Sequence, residues 1–235
     1  MAGSAEQGRG DGRRAWRGEG RYGERHRAAA RALRGRMVRR IVAGGGLTDP
    51  AWRAAFAEVP RHLFVLDELV EEGGDPDVPA AAPDSGDLRR NLRRLAGAYA
   101  DRPIATRVVG GELVSSSSQP SLMALMCQAL EVGDGQRVLE IGAGTGYNAA
   151  LLAHRLGPGA VTTVDLEPEI TASARAHLDA YGTRAARSVA VVTGDGALGH
   201  PPRAPYDRIM ATCALPSVPA EIGRASCRER VYGLV

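Results

Sequence analysis

The chain of 235 residues is long enough to bury a hydrophobic core and carries a formal net charge of +3, with arginine as its only strongly basic residue type. The basic excess belongs to residues 1–40, which hold twelve arginines against four acids, so the composition argues against a nucleic-acid-binding body. No apolar run approaches the roughly 18 residues of a membrane span, so we expect no membrane association. The spacing of Cys127, Cys213 and Cys227 fits neither a metal site nor a set of paired disulfides. We therefore expect no bound metal and a cytoplasmic protein.

The N-terminal segment is rich in arginine and glycine. Residues 1–36 are expected to form a disordered leader, or to follow a start codon assigned too early, with Met37 as a second start. This segment is therefore not expected to contribute to the site.

Residues 37–119 are expected to form a mainly helical region on the substrate side of the molecule. Asp49, or the threonine before it, is placed to cap a helix that has Pro50 in its first turn. Within the same region the acidic, Pro/Gly-rich segment 71–87 predicts a mobile loop. The sequence RVVGGELV at 107–114 predicts a β-hairpin, because Gly-Gly separates two apolar runs.

Residues 120–220 alternate apolar runs with helical segments, a pattern typical of a parallel α/β sheet. A helix is expected to begin at Pro120. The predicted strands are 138–141, 160–165, 189–193 and 207–212, and the predicted helices that link them are 147–156 and 168–182. The fold class is therefore α/β, with a mainly helical N-terminal region.

The turn after the first of these strands distinguishes two classes of cofactor. A dinucleotide site has the spacing G-x-G-x-x-G, but Tyr147 holds the place of the third glycine. Gly142, Gly144 and Gly146 instead form G-x-G-x-G, the pattern of S-adenosylmethionine (SAM) methyltransferases. Asp165 ends the next strand, where a carboxylate can bind ribose hydroxyls. We therefore expect a Rossmann-like SAM-dependent methyltransferase fold.

Four sequence blocks together resemble the protein-L-isoaspartate O-methyltransferase family, in a variant of actinobacterial type. They are VPRHLFV at 59–65, the SQP of SSSSQPSLMALM at 115–126, VLEIGAGTGY at 138–147 and GDGALGHPPRAPYDRIMATCALPSVP at 194–219. The resemblance covers roughly residues 37–220. It implies methyl transfer from SAM to the free carboxylate of an L-isoaspartyl residue in a damaged protein or peptide, whose ester then collapses to a succinimide during repair.

The resemblance also implies roles for individual residues. Ser118 matches the family's active-site serine, whose hydroxyl would hold the substrate carboxylate beside the positive end of the helix opened by Pro120. The residues implied to bind the cofactor are Ser115, Ser116, Ser117, Glu140, Gly142, Gly144, Gly146, Asp165, Leu166, Asp195 and Gly196. Asp195 is also a common turn former.

The residues present agree with this chemistry. A carboxylate with a pKa of about 3.5–4 is ionised at neutral pH, so the reaction needs no general base. The enzyme mainly aligns and desolvates the two reactants. No histidine partner lies near the serine run, which argues against Ser118 as a nucleophile.

Two segments near the substrate side depart from the family pattern. They are the acidic loop 71–87 and an additional hairpin-like piece between Ile104 and Ser118. A relative that methylates an aspartate of a biosynthetic peptide would share every cofactor residue, so peptide modification stays open beside repair. We expect a monomer in either case.

The C-terminal residues 221–235 form an atypical, polar tail without family likeness. A methyltransferase sheet needs further strands after 207–212, so we expect the sheet to be truncated and this strand to be an exposed edge. We therefore predict that the polypeptide is unstable, or that it is an inactive fragment. Soluble expression with a cooperative thermal transition and full SAM affinity would contradict this prediction.

Overall fold

A five-stranded parallel sheet forms the centre of the molecule. The computed structural model describes residues 24–66, 88–214 and 231–233. In spatial order the strands are β5 (Ala190–Thr193), β4 (Val161–Asp165), β3 (Val138–Ile141), β6 (Arg208–Ala211) and β7 (Val231–Gly233). The chain moves outward from β3 to β5 and then returns to the other side of β3, so a crevice opens at the carboxyl ends of β3 and β6.

The predicted helices of this part of the chain are present as α5 (Pro120–Ala129), α6 (Tyr147–Leu156) and α7 (Pro168–Tyr181). A short additional helix, α8 (Arg184–Arg187), is not predicted from the sequence. The ends of α6 and α7 are set by Gly157 and Gly182, the latter in the left-handed conformation that favours glycine after a helix. The predicted strand and helix boundaries in this part of the chain are confirmed to within one residue.

The N-terminal region is helical and packs on the sheet's own helices. It consists of α1 (Glu24–Ala43), α2 (Pro50–Glu58), α3 (His62–Val65) and α4 (Leu88–Ala98). Asp49 caps α2 by accepting a hydrogen bond of 2.7 Å from the Ala51 N–H, as predicted. Phe56 and Phe64 contact Tyr147 of α6, so the helices and the sheet share one hydrophobic core.

A two-stranded antiparallel hairpin precedes α5. It pairs β1 (Ile104–Val109) with β2 (Glu112–Ser117) through a Gly110-Gly111 turn. Both glycines have positive φ, +59° and +84°, as a two-residue hairpin turn requires. The predicted hairpin is confirmed and leads directly into α5.

The N-terminal boundary of the fold differs from the prediction. Helix α1 begins at Glu24, so residues 24–36, which the composition assigns to a disordered leader, are helical. The helix buries Ala30, Met37 and Ile41 against its neighbours, and this burial stabilises it despite its many arginines. The predicted loop 71–87 and the first part of the leader lie outside the described residues.

The predicted exposed edge is also wrong. Residues Val231–Gly233 form β7, which pairs in parallel with Ile209–Ala211 of β6 and so occupies its hydrogen-bonding groups over three residues. The tail therefore supplies one more strand of the sheet, although three residues are too few to show a strand period in the sequence.

Gly196 provides a test of packing between the sheet and the loop after β5. A Cβ atom at Gly196 would lie 2.4 Å from Ile141 Cγ2, whereas a Cβ at Gly194 would meet nothing within 4 Å. We expect Gly196→Ala to lower the free energy of unfolding by about 1–3 kcal/mol, because a side chain of β3 must move. Gly194→Ala is the matched control and should change it by less than about 0.5 kcal/mol. Equal values in urea denaturation would contradict this account.

Candidate active site

A cleft of about 670 Å³ lies at the carboxyl ends of β3, β4 and β6. The glycine turn after β3 and the end of β4 form one wall, and the serine run at the end of β2 forms the other. The predicted site residues that line the cleft are Ser115, Ser116, Ser117, Ser118, Glu140, Gly142, Gly144, Asp165, Leu166, Asp195 and Gly196. The fold thus brings together segments that are far apart in the sequence.

The glycine turn is shaped by contacts that exclude side chains. Gly142 has a φ of +98°, and a Cβ there would lie 2.7 Å from the Thr212 hydroxyl oxygen. The N–H of Gly144 donates to Asp165 Oδ2 at 3.2 Å, which joins the turn to the end of β4. The turn therefore presents main-chain atoms to the cleft, with Asp165 fixed beside them.

Gly146 has a packing role and is not among the residues that line the cleft. It precedes α6 with a φ of +82°, and a Cβ there would lie 3.1 Å from the Ala174 carbonyl oxygen of α7. The absence of a side chain at Gly146 allows close approach of α6 and α7, and its contact with a cofactor stays a prediction. The spacing of the three glycines in the sequence does not distinguish a glycine that contacts a cofactor from one that allows two helices to pack closely.

Glu140 lies beneath the turn and is fully buried. Its Oε1 accepts a hydrogen bond of 2.7 Å from Asn148 Nδ2 of α6. Burial raises the pKa of Glu140 to about 7, with a smaller contribution from the nearby Asp165 charge, while Thr163 and Asn148 act in the opposite direction. The side chain therefore joins α6 to β3, and it also lines the cleft.

The two other acids occupy the outer part of the same wall. Asp165 is half-buried, and its Oδ1 accepts from the Glu167 N–H at 3.5 Å. Asp195 is exposed and caps a short 3-10 helix (Gly196–Leu198) by accepting from the Ala197 N–H at 2.8 Å. Asp195 thus forms the turn that the sequence allows and also lines the cleft. Leu166, next to Asp165, is 65% exposed.

The serine run is held from behind by a buried arginine. Arg61 donates to the Ser117 hydroxyl at 3.3 Å and to the Ser118 carbonyl at 3.1 Å. The Ser115 hydroxyl accepts from Thr106 of β1 at 3.1 Å, and Ser116 is exposed. Ser118 is half-buried and lines the cleft.

The N-terminus of α5 is partly satisfied within the protein. The Ser121 N–H donates to Asp101 Oδ1 at 2.9 Å. The expected attraction of this helix end for a substrate anion is reduced by that carboxylate. The binding of an anion near Ser118 consequently depends more on the other hydrogen-bond donors in that segment.

Sequence reasoning missed several residues of the site. Arg61 lies within the VPRHLFV block, but its partners are 37–57 residues away and leave no local pattern. Leu113 and Val114 of the hairpin also line the cleft and are 61% and 43% exposed. Among the described residues no group of three or more His, Cys, Asp or Glu could hold a metal ion. In the same ranges no helix is long and apolar enough to span a membrane.

Comparison with known proteins identifies the family. The protein-L-isoaspartate O-methyltransferase of Methanoregula boonei is 41% identical over 186 residues, which cover 79% of this chain and 70% of that protein. Residues 90–224 match the family described as protein-L-isoaspartate(D-aspartate) O-methyltransferase (PCMT). The chain belongs to the PCMT family. The PCMT of Hyperthermus butylicus is 34% identical over 200 residues, covering 82% of this chain and 70% of that protein.

Solved structures agree with this membership. A protein-L-isoaspartate O-methyltransferase superposes with a TM-score of 0.64 at 30% identity, covering 82% of this chain and 52% of that one. The chain therefore spans about half the length of that solved protein. A PCMT from Plasmodium falciparum, solved in complex with S-adenosyl-L-homocysteine, has a TM-score of 0.58 at 12% identity, which shows the shared fold.

Glu140 makes the stability of the ligand-free protein depend on pH. Its pKa is raised in the folded state, so the stability it contributes is present below about pH 4.5 and is lost as the pH rises through about 7. Glu140→Gln removes this titration. Relative to the natural chain, the variant should gain about 2–3 kcal/mol of unfolding free energy between pH 5 and pH 8.

Urea denaturation at the two pH values measures this difference. Glu112→Gln, which removes an exposed carboxylate of the hairpin, is the matched control and should show no such gain. If the natural chain and Glu140→Gln differ in unfolding free energy by the same amount at both pH values, burial does not raise the pKa of the Glu140 carboxyl.

Proposed function

We propose that this chain transfers a methyl group from S-adenosylmethionine to the free carboxylate of L-isoaspartyl residues in damaged proteins or peptides. One observation carries the proposal: in a chain of the PCMT family, the serine run and the glycine turn line a single cleft at the carboxyl ends of the strands. Their proximity is direct, since a Cβ at Gly144 would lie 3.6 Å from the Ser116 carbonyl oxygen.

The residues of the glycine-turn wall fit the cofactor. The cleft has a volume of about 670 Å³, within the range of small-molecule sites. The turn offers main-chain atoms to a methionine moiety, and Asp165 at the end of β4 offers carboxylate oxygens to ribose hydroxyls. Asp195 and Gly196 line the same cleft and would border the adenine. When bound, the cofactor supplies the electrophilic methyl group.

Ser118 would hold the acceptor, whereas residues 115–117 of the same run would border the cofactor. The Ser118 hydroxyl donates to one oxygen of the substrate carboxylate and leaves another free to attack. That carboxylate is ionised at neutral pH, so no side chain has to remove a proton. The protein therefore contributes alignment of two bound reactants and exclusion of water, and alignment alone can remove a large part of the barrier of a bimolecular reaction.

We also propose that the chain acts as a monomer in the cytoplasm. In the described part of the chain Cys127 and Cys213 are free thiols, and Cys127 is fully buried beside Asn148, which suits a reducing compartment. Light scattering coupled to gel filtration would measure the oligomeric state.

Transfer of labelled methyl to a matched pair of peptides tests the proposed reaction. The peptides differ only in having isoaspartate or aspartate at one site. We expect base-labile label on the isoaspartyl peptide alone. Label on the aspartyl peptide would indicate modification of a biosynthetic peptide, and label on neither would contradict the proposal.

Ser118→Ala tests the role of the hydroxyl. We expect kcat/KM for the isoaspartyl peptide to fall about 10- to 100-fold, because one hydrogen bond to a charged group is lost. Ser121→Ala, three residues later and outside the cleft lining, is the matched control and should retain activity. Equal kcat/KM in the two variants would argue against a contact between Ser118 and the substrate.

A further inference from the structure

Arg61 is a buried arginine whose guanidinium donates five hydrogen bonds to other segments of the chain. It lies between α2 and α3 and is fully buried. Its Nη1 donates to the carbonyls of Ala98 and Ala100 at 2.8 and 3.3 Å. Its Nη2 donates to the Ser118 carbonyl at 3.1 Å and to the carbonyl and hydroxyl of Ser117 at 3.4 and 3.3 Å.

All five acceptors are neutral, so the charge of Arg61 is not cancelled by a hydrogen-bonded carboxylate among the described residues. Burial lowers the pKa of Arg61 to about 10, against smaller effects of Tyr147, Tyr99 and Asp101 that raise it. The guanidinium is consequently protonated at neutral pH. A positive charge therefore lies directly behind the serine wall of the cleft.

The contacts also fix the direction of two peptide groups. In a trans peptide the C=O and the N–H point in opposite directions. Because the carbonyls of Ser117 and Ser118 point to Arg61, the N–H groups of Ser118 and Gln119 point away from it. Arg61 thus orients two donors next to the Ser118 hydroxyl.

We propose that Arg61 is a positioning residue for the substrate carboxylate: it aims the main-chain donors of Ser118 and Gln119 at the anion and places a buried positive charge behind them. This inference rests on the proposed function, since it concerns the carboxylate of the same substrate. It predicts a preference for an anionic over a neutral ligand that depends on the charge of residue 61.

Competitive binding of two peptides measures this preference. One peptide carries the free isoaspartyl carboxylate and the other its methyl ester, and both are titrated into the protein with S-adenosyl-L-homocysteine present. We expect Arg61→Gln to weaken binding of the carboxylate peptide at least tenfold and to change binding of the ester less than threefold. Arg61→Lys should keep the preference for the anion, because it keeps the charge, but should lower kcat/KM at least tenfold, because it lacks the planar fork.

Two measurements separate positioning from general stability. Affinity for S-adenosyl-L-homocysteine, whose proposed contacts include Ser117 as well as the glycine turn, should fall less than threefold in both variants, because neither variant changes the glycine turn or Asp165. Arg53→Gln is the matched control: Arg53 donates to the Leu47 carbonyl at 3.2 Å and does not line the cleft. It should lower the melting temperature without changing the preference. If Arg61→Gln does not fold, kcat/KM of Arg61→Lys decides the proposal: a fall of at least tenfold with little change in affinity for S-adenosyl-L-homocysteine supports it, and an unchanged kcat/KM overturns it.

The outcomes distinguish this inference from the proposed function. An unchanged preference and an unchanged KM in the Arg61 variants, with the natural chain binding the isoaspartyl peptide, would overturn only the role of Arg61. Failure of the natural chain to bind either peptide would overturn both.

Discussion

The contacts of Arg61 hold together the parts of the molecule that form the cleft. Its guanidinium joins the end of α4 to the serine run, and its Cζ lies 6.0 Å from the centre of the Tyr147 ring, at the start of α6. Burying an ion costs several kcal/mol, which only good geometry and several hydrogen bonds can offset. The guanidinium has those hydrogen bonds only when the end of α4 and the serine run are both in place, and the Tyr147 ring of α6 packs against it, so its burial favours one arrangement of these segments.

The shared core reinforces the same arrangement. Trp52 and Phe56 of α2 and Phe64 of α3 are essentially fully buried, and two of these rings contact Tyr147, which follows the glycine turn. Large aromatic side chains contribute much of the burial energy of a core and restrict its geometry. The helical region therefore acts as a rigid support for the serine wall, and a functional site on such support keeps its spacing.

Local patterns in the sequence predict much of this structure, and long-range contacts account for what they miss. The glycine turn, Asp165 at a strand end and the Gly-Gly hairpin each depend on a few neighbouring residues, so they can be read from the chain. Arg61 cannot, because its acceptors come from two distant segments, around Ala98 and at Ser117 and Ser118. Gly146 fits the glycine pattern but serves helix packing, and β7 is too short to show a period. The assignment of 24–36 to a leader fails because arginine-rich composition hides the buried face of α1.

The distribution of charge in the cleft bears on what the protein contributes to the proposed reaction. Asp165 and Asp195 lie on the wall proposed for the cationic cofactor, and Arg61 lies behind the wall proposed for the anionic substrate. Methyl transfer from a sulfonium to a carboxylate removes both charges. Each wall therefore binds its charged reactant more tightly than its neutral product. This difference favours release of the products, but it stabilises the ground state more than the transition state. Acceleration in such a site must come mainly from holding the two reacting groups in line, and that is why the rigidity of the serine run matters more than its acidity or basicity.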